Sequence, residues 1–265
     1  MQSKADSAIP TVDVLGFPVA NLDMAGAVAA IASMLEAHKA VGSIDSTGDT
    51  RGTGGARVVT ANAEIMYRAY KTPELGALLL SADLILPDGI GVVKAAALRG
   101  TPLKERVAGA DLMLALSAWA AANGRCVYLL GAAKASVEGT VSALHEQYPA
   151  LRIAGYHDGY FHKEEKEEIL RDIQAKGPDF LFVGMGFPAQ DLFFTQNADR
   201  LSVGVMMGVG GTFDALSGRV KRAPQWIQRL NLEWAYRFAQ NPKRLGRIWA
   251  LPGFMLAVLL VKRKK

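Results

Sequence analysis

Asp83-Leu84-Ile85-Leu86-Pro87-Asp88-Gly89-Ile90-Gly91-Val92-Val93 is a short apolar run, then a proline, a carboxylate and two glycines. Leu84 to Leu86 read as a buried parallel strand, which is apolar on both faces and so does not alternate. Pro87 has no N–H for a sheet ladder and marks the strand's end. Gly89 and Gly91 then open a helix predicted to run to about Arg99. Asp88 therefore stands just past the carboxyl end of a strand, where an open α/β sheet forms its ligand crevice. Two roles are open to it from these residues: a catalytic carboxylate, or the N-cap of the helix.

The same alternation extends in both directions. Val12 to Val19 reads as a strand, and Asp23 caps an Ala-rich helix to about Lys39. Val41 to Gly55 is rich in Gly, Ser, Thr and Asp and lacks periodicity, as a flexible loop does. Arg57 to Ala61 is a predicted strand, with Asn62 at the start of a helix, and Pro73 to Ser81 is another helix. Thr101 to Val107 reads as irregular and Gly109 to Asn123 as helical. Strands at Cys126–Gly131, Arg152–Tyr156, Asp179–Met185 and Ser202–Val209 are each followed by a helical stretch. Strand, turn and helix in this order predict a Rossmann-like parallel sheet flanked by helices. The expected division is an α/β catalytic domain over residues 1–218 and a basic helical appendage over residues 219–265.

Composition narrows the class. The chain has 265 residues, half of them apolar, enough for a sizeable core. Its one cysteine, Cys126, excludes a disulfide scaffold and a cysteine zinc cluster, and suits a reducing compartment. The first ten residues lack the apolar core of a signal peptide. The net charge of +5 is uneven: Arg219 to Lys265 holds twelve Lys or Arg and one acid, so this end carries +11 and the remainder −6. A basic end on an acidic body points to an anionic surface as its partner.

Several strands end in glycine: Gly131, Gly184-Met185-Gly186 and Gly208-Val209-Gly210-Gly211. Glycine lets a backbone approach a phosphate, and the next helix start offers amides. Each glycine is equally what an ordinary strand-to-helix turn requires. The full Gly-x-Gly-x-x-Gly fingerprint with its ribose-binding acid is missing, which argues against a nicotinamide oxidoreductase on the same fold. No Asp-x-Asp occurs, His38, His145, His157 and His162 lack metal-ligand spacing, and neither a P-loop nor a Gly-x-Ser-x-Gly elbow is present. Neither a metal nor a cofactor is therefore expected, and a leaving diphosphate would be offset by amides, Arg and Lys. Other polar candidates are Thr60, Asn62, Arg106, Tyr160, Gln190 and Asp214. Thr60 and Asn62 can equally be helix caps, Gln190 a surface residue and Tyr160 an aromatic anchor.

Read together, Thr60-Ala-Asn-Ala-Glu64, Ser81 to Val93, Gly184-Met-Gly-Phe-Pro-Ala-Gln190, Gly208-Val-Gly-Gly-Thr-Phe-Asp214 and Gly218-Arg-Val-Lys-Arg-Ala-Pro-Gln-Trp226 resemble the WecG/TagA/CpsF family of bacterial glycosyltransferases. The similarity spans about Val12 to Arg247. Two features depart from the family pattern: a longer loop before Arg57, and Phe187 and Ala189 in a block that more often reads Ala-Pro-Lys-Gln. The resemblance implies transfer of a sugar from a UDP-sugar to a GlcNAc linked to undecaprenyl diphosphate, with inversion. UDP-N-acetylmannosamine is the expected donor, with its uronic acid or UDP-glucose as alternatives. It further implies Asp88 as general base, with Thr60, Arg106 and Gln190 beside it as catalytic residues and Asn62 lining the pocket. Tyr160 and Asp214 would hold the uridine, Gly210 and Gly211 would meet substrate, and Arg237, Arg244 and Arg247 would complete the site over the donor diphosphate.

The tail carries its own pattern. Trp226, Leu230, Trp234 and Phe238 recur every fourth residue as a helical apolar stripe, with arginines on another face. Ile248 to Val261 is uncharged, interrupted by Pro252-Gly253 and closed by Lys262-Arg-Lys-Lys265. That run is shorter than the ~20 residues a spanning helix needs, and suits a segment lying in the bilayer interface. The apolar run also argues against a nucleic-acid partner. The expectation is a cytoplasmic enzyme, peripheral on the inner face of the cell membrane, with a homo-oligomer away from the membrane left open.

Overall fold

The structure is a computed structural model, and it describes residues 9–42, 54–220, 224, 227 and 250–261. Its centre is a six-stranded, wholly parallel sheet in the spatial order β4-β3-β8-β7-β5-β6. These strands are β3 (Ala56–Ala61), β4 (Leu84–Pro87), β5 (Cys126–Gly131), β6 (Arg152–His157), β7 (Phe180–Gly184) and β8 (Val205–Gly208). The expected Rossmann-like fold is present.

Every central strand is buried on both faces, and the pleat sorts its residues between two layers. Val58, Leu84, Leu86, Val127, Leu129, Phe180, Phe182, Val205 and Met207 face α1 (Met24–Gly42), α5 (Gly109–Ala122), α6 (Lys134–Gln147) and α9 (Thr212–Leu216). Val59, Ala61 and Ile85 face the other way, against α2 (Ala63–Lys71) and α4 (Ile90–Leu98). Tyr128, Leu130, Leu181, Val183 and Met206 share that second face with α7 (Lys163–Lys176) and α8 (Ala189–Asn197). α3 (Pro73–Leu80) precedes β4 and adds Leu79 to the second face.

Two expectations need correction. Val12 to Val19 is a hairpin instead of one strand: β1 (Thr11–Val14) pairs antiparallel with β2 (Phe17–Ala20), outside the main sheet. The reversal is at Leu15 and Gly16, both with positive φ (58° and 89°), the backbone that a two-residue hairpin with right-handed strand twist demands. Asp13 Oδ1 accepts a hydrogen bond from Gly16 N at 3.2 Å within that turn. The second correction concerns Pro252-Gly253, which does not interrupt the last segment. α10 (Ala250–Leu260) runs through both, and Gly253 lets it lie against α2, where a side chain would meet the Tyr67 ring at 2.6 Å. Phe254 and Val258 are buried in the core layer of α2 and α4. Arg99 Nη1 donates to the carbonyls of Val258 (2.8 Å) and Val261.

Asp23 caps α1 as expected, accepting from Gly26 N at 2.7 Å. The Val41–Gly55 loop falls largely outside the described residues. So do Trp226, Leu230, Trp234, Phe238 and the three arginines Arg237, Arg244 and Arg247. Among the described residues no helix is long and apolar enough to cross a membrane.

Candidate active site

β3 and β8 lie side by side, yet β3 runs on into α2 on one face of the sheet and β8 into α9 on the other. Adjacent strands whose helices part in this way leave a crevice at their carboxyl ends. A cleft of about 490 Å³ opens there. Thr60, Asn62, Asp88, Arg106, Tyr160, Gln190, Gly210, Gly211 and Asp214 all line it, although they come from six separate stretches of chain.

Asp88 continues the strand ladder, its N–H donating to the Ala61 carbonyl at 3.0 Å. Gly89, not Asp88, holds the N-cap position of α4, at φ 114° and ψ 140°. That backbone is open to glycine and strained for other residues. The N-cap role is thereby taken away from Asp88, and its carboxylate stands at the cleft wall. Val107 N donates to the Pro87 carbonyl at 2.9 Å, which ties the loop bearing Arg106 to the end of β4.

Thr60 is buried, with its hydroxyl against the start of α5. A methyl placed on Gly109 would stand 2.6 Å from Thr60 Oγ1 and 3.6 Å from Asp88 Oδ2. Asn62 is the N-cap of α2, accepting from Ile65 N at 3.0 Å, and it lines the cleft as well. Both readings of Asn62 hold at once.

Across the cleft, Gln190 is not a surface residue: it is 5% exposed. Its Oε1 accepts from Gly186 N (2.9 Å) and Gly210 N (3.2 Å), so one carbonyl oxygen ties two glycine turns together. These two amides, candidates for meeting a phosphate on sequence grounds, are thus already satisfied within the protein. Gly131 also serves packing: a side chain on it would collide with the backbone of Gly184 at 2.6 Å. Asp214 Oδ1 accepts from Ser136 Oγ at 2.6 Å. Tyr160 is 80% exposed at the rim, with its N–H on Asp158 Oδ1 at 2.9 Å, so it is not a buried aromatic anchor.

Sequence reading missed three features. Arg57 and Asp191 form a buried ion pair at 2.7 Å behind the cleft. Burial pushes the Asp191 carboxyl up to about 6 against the pull of Arg57, and burial likewise lowers the Arg57 guanidinium. Phe187, on the cleft wall, lies under the Arg68 guanidinium, 5.6 Å from its ring centroid, and its carbonyl accepts from Arg68 Nη1 at 3.1 Å. The third is Gly109, for which the run of small residues Ala108-Gly109-Ala110 was the one available signal. Neither charged residue of the pair carries a sequence signal, because nothing local distinguishes a buried charge from an exposed one.

The chain matches the Glycosyl transferase WecG/TagA/CpsF family over residues 12–265. It belongs to that family. Three relatives each carry the name N-acetylglucosaminyldiphosphoundecaprenol N-acetyl-beta-D-mannosaminyltransferase. The one from Bacillus spizizenii is 42% identical over 209 residues, covering 79% of this chain and 80% of its own. The Bacillus subtilis relative is 39% identical over 211 residues, covering 80% and 82%. The Staphylococcus aureus relative is 39% identical over 207 residues, covering 78% and 81%. This glycosyltransferase thus has its cleft at the switch point of the sheet. Among the described residues that line the cleft, Glu64, Asp88 and Asp214 are acidic and Arg106 is basic. Among the described residues no group of three or more His, Cys, Asp or Glu is placed to hold a metal ion.

Proposed function

We propose that the enzyme transfers N-acetylmannosamine from UDP-N-acetylmannosamine to the GlcNAc of undecaprenyl-diphosphate-GlcNAc, inverting the anomeric centre. The names of the three relatives support the donor and the acceptor. The observation that carries the mechanism is that Asp88, one residue before the Gly89 N-cap of α4, lines one cleft with Thr60, Arg106 and Gln190. A sugar hydroxyl is a poor nucleophile at neutral pH. The Asp88 carboxylate takes its proton as the oxygen attacks the anomeric carbon, and the bond to the UDP oxygen breaks on the opposite side. Thr60 and Arg106 bound the space where the two sugars meet. Tyr160 at the rim and Asp214 hold the uridine, with Gly210 and Gly211 beside it.

UDP leaves with its charge, so the site must supply positive potential. The described lining is acidic on balance, and Arg237, Arg244 and Arg247 are the candidates to reverse it. In this reading residues 219–265 act as an appendage to the catalytic domain of residues 1–218, bringing arginines to the diphosphate and basic residues to anionic headgroups. Transfer then takes place at the inner face of the membrane and requires no metal ion. A screen of UDP-sugars against a short-chain lipid-diphosphate-GlcNAc tests the proposal. Turnover with UDP-N-acetylmannosamine is expected; turnover restricted to its uronic acid or UDP-glucose would reject the donor assignment.

A further inference from the structure

The Arg57–Asp191 pair takes no part in transfer as described, yet both side chains are buried and the guanidinium is held from several sides. Arg57 Nη1 meets Asp191 Oδ1 at 2.7 Å, while Nη2 donates to the Leu78 carbonyl and to Ser81 Oγ at 2.8 Å. The Arg57 backbone N–H donates to Asp83 Oδ2 at 2.7 Å. One guanidinium therefore joins β3, the end of α3 and the start of α8. Asp191 directly follows Gln190 in the first turn of α8. Its Oδ2 is buried with no hydrogen-bond partner among the described residues, so the Arg57 guanidinium on Oδ1 is what holds this carboxylate in place.

This neighbour matters for where Gln190 is held. A glutamine amide can present either its oxygen or its NH2 group to a given contact, and only the oxygen satisfies two N–H donors. The ion pair fixes the first turn of α8 against β3 and the end of α3, and with it the backbone from which the Gln190 oxygen reaches Gly186 N and Gly210 N. Both glycines have positive φ, 76° and 54°, and glycine turns are loose unless something ties them. Gly208, one residue before the second turn, has no room for a side chain because a Cβ would run into the Gln190 amide.

We propose that Gln190 is a positioning residue, held in place by the Arg57–Asp191 pair that anchors the start of α8, and that these three side chains together set the spacing of the Gly184–Gly186 and Gly208–Gly211 turns that receive the donor nucleotide. The inference rests on the reading of the cleft as a UDP-sugar site. It assigns Gln190 an action through the two turns in place of direct contact with the reacting sugar.

The test uses the full chain and UDP as the probe, with Kd measured by calorimetry and kcat and KM with the donor. The paired substitution Arg57→Met/Asp191→Leu removes both charges together, which avoids stranding one in the core. It is expected to fold and to weaken UDP binding ~3- to 10-fold, and Gln190→Met to weaken it ~10-fold or more, as two hydrogen bonds are lost. In the paired variant kcat at saturating donor stays within ~3-fold of wild type, the signature of a binding defect. A folded paired variant with wild-type UDP Kd overturns the proposal. So does a Gln190→Met enzyme that keeps its Kd and loses kcat, since Gln190 would then touch the reacting groups. If the paired variant does not fold, amide exchange in Gln190→Met decides: lost protection at residues 184–187 and 208–211 supports the tie, and unchanged protection overturns it. Wild-type protein that binds no UDP at all rejects the functional reading, and the inference with it.

Discussion

Gly109 opens α5 so close to Thr60 that a methyl group on it would lie 2.6 Å from the threonine hydroxyl oxygen. A real Cβ does not sit at that distance, so one of the two residues would have to move. Thr60 is buried and has little room. The absence of a side chain at 109 thus keeps open the corner of the cleft shared by Thr60 and Asp88.

Gly109→Ala is expected to lower kcat by ~10-fold or more, because displacement of about an ångström at a reacting centre is costly. UDP Kd should change little if Tyr160 and Asp214 hold the uridine as proposed, since neither is met by the new methyl. Thr60→Ala in the same chain removes the hydroxyl that the new methyl meets, so the double variant should be no slower than Thr60→Ala alone. Strictly multiplicative losses would show that the two residues act separately.

Asp88→Asn should reduce transfer by ~10²–10⁴-fold, the usual worth of a general base. The carboxamide keeps the shape, so UDP binding should survive. Near-normal turnover in this variant would sink the mechanism.

Transfer in excess EDTA is expected to run at the untreated rate. The motivation is that the sequence has no Asp-x-Asp and that, among the described residues, no group of three or more His, Cys, Asp or Glu is placed to hold a metal ion. Loss of activity that magnesium or manganese restores would refute this.

α10 has two faces with opposite expected behaviour. Phe254 is fully buried, so Phe254→Ala should cost ~3–5 kcal/mol of unfolding free energy. Leu256 and Leu259 are 57% and 63% exposed, so replacing both by Glu should leave the thermal midpoint nearly unchanged. The same pair of changes should weaken binding to anionic liposomes if this face meets the bilayer. Unaltered binding would assign the anchoring to the basic residues alone.

The pH dependence of stability carries a signature of Asp191. Its carboxyl titrates near 6 in the folded protein, raised by burial from an ordinary value of 3.8. Between these values the folded state binds more protons than the unfolded state. Its contribution therefore favours the fold below the unfolded value and is lost as pH rises through about 6. Denaturant unfolding of wild type and Arg57→Met/Asp191→Leu from pH 4 to 8 should differ by a curve of this sign. A constant difference across the range would show that Asp191 does not change its proton affinity on folding.

The order of strands and helices was legible in the sequence because it rests on local signals. The short apolar runs at Leu84–Leu86 and Phe180–Val183, bounded by Pro87 and by Gly184, read as strands buried on both faces, and Asn62 or Asp23 before a helix reads as a cap. Local sequence placed Asp88 just past a strand's carboxyl end and left a catalytic and a capping role both open; the family resemblance, not the spacing, favoured the first. The hairpin turn at Leu15-Gly16 escaped because its strands are four residues each, with no stronger turn signal than one glycine.

Tertiary structure alone decided which distant residues meet. Arg57 and Asp191 lie 134 positions apart and pair because β3 and α8 are brought together by the strand order, which no local pattern encodes. Gln190 looks like any polar helix residue until β7 and β8 are placed side by side and their glycine turns converge on its oxygen. The uniformly apolar α10 matched an interfacial segment equally well on sequence grounds. Only the packing of Phe254 and Val258 under α2 and α4 shows that one of its faces is spent on the core. Periodicity and turn chemistry act between near neighbours and are written along the chain, whereas burial and ion pairing depend on what the completed fold places opposite each side chain.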